Sequence, residues 1–137
     1  MMQETEAKRI LEETFETQLQ AAGGADADPR LIENNPAVKS YRKCRMAGKS
    51  VSVKAEKALW ETAEEKLREL CTESILKEQD RMVLLVGSGF QNRNPAVVEL
   101  CFREGALDIS AWAKEGLINQ STAKKAVKAC LSALGLA

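Results

Sequence analysis

From Gln3 to about Gln20, apolar side chains recur one helical turn apart at Ala7, Leu11, Phe15 and Leu19, with Lys8, Glu12, Glu13 and Glu16 elsewhere. This spacing predicts an amphipathic first helix over residues 1–20. The stretch AAGGADADP follows, in which Gly23 and Gly24 permit left-handed backbone angles and Pro29 cannot continue a helix. Residues 21–34 therefore read as a loop.

Asn35-Pro36 has the form of an N-cap followed by proline in a first helical turn, where the missing N–H costs nothing. It predicts a helix to about Ala47 with the face Ala37, Tyr41 and Cys44, stopped by Gly48. Ser52 is placed to cap a longer helix to about Gln79, with Leu59, Ala63, Leu67, Leu70 and Ser74 in one stripe and Trp60, Cys71 and Ile75 widening it.

The run RMVLLV fits a buried strand or a buried helical turn equally well. With no other segment reading as a strand to pair with it, helix is preferred through Val86, ended by Gly87 and Gly89. Asn94-Pro95 then starts a helix with Val97, Leu100 and Cys101 inward, Asp108 caps one carrying Ile109, Trp112 and Ala113, and Ser121 caps a last one carrying Ala123, Ala126, Val127, Cys130 and Leu134.

The expected fold is an all-α bundle of six or seven helices in a single domain, with residues 35–137 as its core. Composition agrees, since Ala, Leu, Glu and Lys are abundant and aromatics make up only 4%. A chain of 137 residues with 45% hydrophobic and 29% charged positions has enough apolar surface for one core. Asn35-Pro36-Ala37-Val38 recurs as Asn94-Pro95-Ala96-Val97, and shared helix capping or chance accounts for this better than duplication.

Candidate chemistry is sparse. Histidine is absent, which excludes a histidine triad or histidine base, and no residue pattern calls for a cofactor or a metal. GSGF lacks the spacing of a phosphate loop. Glu12-Glu13 and Glu64-Glu65 sit at adjacent helical positions, diverge, and read as solubilising surface. Trp60 and Trp112 fall among apolar neighbours and read as core. The chain is expected not to be an enzyme.

Cys44, Cys71, Cys101 and Cys130 are far apart in sequence and read as small buried hydrophobes in a reducing compartment. The first residues are acidic, and no run approaches the roughly 20 apolar residues of a membrane helix, so a cytoplasmic, membrane-free protein is expected.

Lys plus Arg and Asp plus Glu are 20 each, so any anionic partner needs a local patch. One exists: between residues 39 and 57, Lys39, Arg42, Lys43, Arg45, Lys49, Lys54 and Lys57 oppose only Glu56. From residue 58 to 80 the balance reverses, with seven acids against Lys66, Arg68 and Lys77. Such blocks bind an anion, or pair with each other or with a second copy of the chain, and pairing is the preferred reading.

The last segment, DISAWAKEGLINQSTAKKAVKACLSALGLA, resembles a helix-turn-helix of the bacterial transcription-regulator kind. The resemblance implies Ala113 at the helix crossing, Ile118 plugging the turn, Gln120, Ser121 and Thr122 near base edges, and Lys124, Lys125 and Lys128 on phosphates. The same residues also fit two amphipathic helices joined by a glycine turn. The chain as a whole thus reads first as a helical interaction module with a protein partner or a second copy, and second as a small DNA-binding regulator.

Overall fold

The computed structural model describes residues 2–22, 34–87, 94–115 and 121–136. Among them the chain forms four helices and five strands: α1 (Glu4–Ala22), α2 (Pro36–Lys43), β1 (Arg45–Lys54), α3 (Lys57–Leu67), β2 (Cys71–Lys77), β3 (Arg81–Val86), β4 (Ala96–Arg103), β5 (Ala106–Glu115) and α4 (Thr122–Ala133). The strands make one antiparallel sheet in the order β1-β5-β4-β3-β2. The fold is therefore mixed α/β, which corrects the expected all-α bundle.

The layers follow from the pleat, which sends alternate side chains to opposite faces. Val83, Leu85 and Val97 pack with Ala7, Ile10 and Leu11 of α1, whereas Met82, Leu84, Val98, Leu100 and Ile109 pack with Ala63 and Leu67 of α3 and Ala126, Val127 and Cys130 of α4. The sheet is thus sandwiched between α1 with α2 on one side and α3 with α4 on the other. Strands covered on both faces become continuous apolar runs rather than alternating ones. This is why MVLLV and AVVEL look helical or ambiguous in isolation.

Three predicted helices dissolve into strands and a fourth is cut short. Met82–Val86 lies in β3, whose partners β2 and β4 are themselves segments read as helix. Asn94-Pro95 precedes β4, and Asp108 and Ile109 sit inside β5. Ser52 lies in β1 and caps nothing, and the long helix expected to Gln79 ends at Leu67. Ser74 and Ile75 belong to β2 and only extended the helical stripe by coincidence. Gly48 is not a helix stop but a strand residue facing Trp112. Asn35-Pro36-Ala37 begins a helix while Asn94-Pro95-Ala96 leads into a strand, so the sequence recurrence has no structural counterpart.

Other expectations hold. In α1, Ala7 and Leu11 are buried and Phe15 and Leu19 half-buried, joined by Ile10. The Asn35 side chain accepts the Ala37 N–H at 2.7 Å as the N-cap of α2, although Val38 rather than Ala37 is the buried residue. In α4, Ala123, Ala126, Val127 and Cys130 are buried as anticipated, with Leu134 just beyond. The expected loop from Gly23 to Pro29, the glycine stop at Gly89 and the glycine turn expected between the last two helices lie outside the described residues. No described helix is long and apolar enough to cross a membrane.

Candidate interaction edge at β1

β1 is ten residues long, pairs with β5 without a register break, and among the described residues has no strand on its other side. The opposite edge, β2, is shorter and carries two register shifts, a feature that bends an edge away from further pairing. Gly48 allows β1 to lie close under β5: a Cβ there would stand 2.7 Å from the Trp112 ring.

The basic residues singled out in the sequence gather around this edge. Arg45 and Lys49 are exposed on β1 itself, and Lys39 and Lys43 are exposed on α2, which leads directly into it. Arg42 is exposed too but is tied to Glu16 of α1. α4 packs on β5 and β1 across the other face of the sheet. Thr122, on one flank of α4, meets Asn94 ahead of β4; Lys124 and Lys128 lie roughly 200–240° around the helix from it, away from that contact. Lys124, Lys125 and Lys128 are all exposed.

The edge therefore has ammonium and guanidinium groups on both faces of the sheet. Among the described residues, Lys39, Lys43, Arg45, Lys49, Lys124, Lys125 and Lys128 make no ion pair. Within the acidic block, Glu73 and Glu78 lie at β2, four strand spacings or roughly 19 Å away across the sheet, and among the described residues none of the block's acids pairs with these cations. Within that acidic end Lys77 pairs with Glu64. Among the described residues no ion pair joins the two charge blocks within the chain.

The helix-turn-helix reading fails on the same geometry. Its first helix, expected from Asp108, lies in strand β5, and Ala113 is fully buried in the sheet. Thr122 is 1% exposed, with its N–H donated to Glu115 Oε1 at 2.9 Å and its hydroxyl accepting from Asn94 at 3.0 Å, so it is unavailable to a base. Ser121 is exposed in a left-handed conformation and makes no side-chain cap. Gln120 and Ile118 lie outside the described residues.

Two residues that sequence reasoning passed over hold this region together. Lys114 and Glu115 are adjacent on β5 and point to opposite faces, and each closes a helix with the sign of charge that its dipole favours. Lys114 Nζ donates to the carbonyls of Tyr41 and Arg42 at the end of α2, at 3.0 and 3.2 Å, and to Glu12 Oε1 at 2.9 Å. Glu115 receives the first N–H of α4, doing the work expected of Ser121. Glu12 is consequently not a solubilising surface acid but the counter-charge of a buried ammonium. Its neighbour Glu13 points outward to Arg9, as adjacent helical positions require.

Tyr41 stacks on Phe15 at 4.3 Å between ring centroids and lies beneath the Lys114 ammonium at 5.1 Å. Its hydroxyl is buried and among the described residues has no hydrogen-bond partner, and burial, reinforced by Glu12 and Cys44, raises its pKa. A second buried acid, Glu99, accepts the Met2 N–H at 2.8 Å and Arg81 Nε at 2.6 Å. Burial works against its charge, yet these two donors hold the carboxyl below the usual range.

The four thiols are free: Cys101 and Cys130 are buried, Cys44 and Cys71 half-buried. Cys71 and Cys101 lie on strands rather than in the helical settings expected of them. Trp60 stacks against Phe102 at 5.8 Å, and Trp112 packs over Gly48; both are half-buried core aromatics. Among the described residues no group of three or more Cys, Asp or Glu side chains is arranged to hold a metal. No known protein family, curated protein or solved structure matches the chain.

Proposed function

We propose that this chain is a non-enzymatic, cytoplasmic interaction module that takes an acidic, extended segment of a protein partner as an additional strand on β1. The observation that carries this reading is the regular, ten-residue outer edge of β1 flanked by cations that make no ion pair among the described residues. Strand addition draws affinity from main-chain hydrogen bonds and specificity from alternate side chains. A strand laid on β1 sends successive side chains to the α2 face and the α4 face in turn. Carboxylates on either face meet Lys39 and Lys43 on one side, or Lys49, Lys124 and Lys128 on the other.

A bare, well-formed edge invites indiscriminate pairing, and charged side chains are the usual guard. Here the guard also selects, because it repels basic and tolerates acidic strands. The free thiols fit a reducing compartment and support the cytoplasmic assignment.

The test is fluorescence anisotropy with a labelled peptide of alternating Glu and Val, matched in length to β1. Binding is expected to weaken steeply with added salt, and Lys43→Glu with Lys49→Glu is expected to weaken it about tenfold, or about 1.4 kcal/mol. Binding indifferent to that charge reversal, or a preference for duplex DNA over the peptide, overturns the reading. So does saturation of the edge by a second copy of the chain, seen as a stable dimer in sedimentation.

A further inference from the structure

No further inference is drawn: the strongest candidate, the apolar groove between the start of α3, the β4–β5 turn and the end of α4, is lined by as many acids (Glu56, Glu104) as bases (Lys54, Lys57), and nothing in the structure shows what covers it.

Discussion

Lys114 Nζ sits 2.9 Å from Glu12 Oε1, with the lysine side chain 1% and the glutamate side chain 21% exposed, so one ion pair joins the sheet to the first helix beneath nearly all solvent. The same ammonium closes the end of α2. Removing the lysine strands a carboxylate and two helix-end carbonyls at once. Lys114→Ala is expected to lose about 3–5 kcal/mol of stability in urea unfolding, the range for breaking a buried pair from one side. In a double-mutant cycle with Glu12→Gln the two losses should not add; additive losses would mean the pair is not coupled.

Gly48 and Trp112 are register partners across β1 and β5, and the indole occupies the space a side chain at 48 needs. Gly48→Ala is expected to displace the ring and cost about 1–3 kcal/mol, as overpacking generally does. Tryptophan fluorescence reports the displacement. Pairing Gly48→Ala with Trp112→Leu should recover part of the loss, and an unshifted emission with unchanged stability would contradict the close packing.

Glu99 titrates below its unfolded value of about 4.3 because Met2 and Arg81 donate to it. A lowered folded pKa stabilises above the unfolded value, and that contribution is lost as pH falls through the folded one. Stability should therefore drop on acidification below about pH 4. Glu99→Gln should start less stable at neutral pH and show a shallower acid limb in urea midpoints taken across pH. Parallel acid limbs for the two proteins would remove Glu99 from the account.

Burial pushes the Cys130 thiol up to about 12 and raises Cys101 as well. With a folded pKa above the unfolded value of about 8.5, Cys130 contributes stability that is complete below that value and lost as pH rises from there toward about 12. Cys130→Ala should flatten part of this alkaline decline. Thiol titration with an aromatic disulfide reagent should find Cys44 and Cys71 reacting in the native protein and Cys101 and Cys130 only on unfolding. Fast native labelling of Cys130 would refute its burial.

Much of the candidate edge was legible as charge and almost none of it as geometry. Lys39, Lys43, Arg45, Lys49, Lys124, Lys125 and Lys128 stand out in the sequence as two separate basic groups. That the two groups lie on one sheet depends on β1 pairing with β5, which brings residues 45–54 against residues 106–115. Lys114 and Glu115 carried no signal, because a Lys-Glu pair near a glycine looks like any solvated helix end. Their meaning lies in which helix end each one reaches.

The amino-acid sequence by itself determined the elements whose stabilising interactions are local: α1 through its four-residue spacing, the start of α2 through Asn35, and the inward face of α4 through Ala123, Ala126, Val127 and Cys130. Only the tertiary structure decided that residues 45–54, 71–77, 81–86, 96–103 and 106–115 are strands. A strand's hydrogen bonds go to segments distant in sequence, so no strand can be recognised by itself. The central ones, buried on both faces, also lose the alternation that would have marked them.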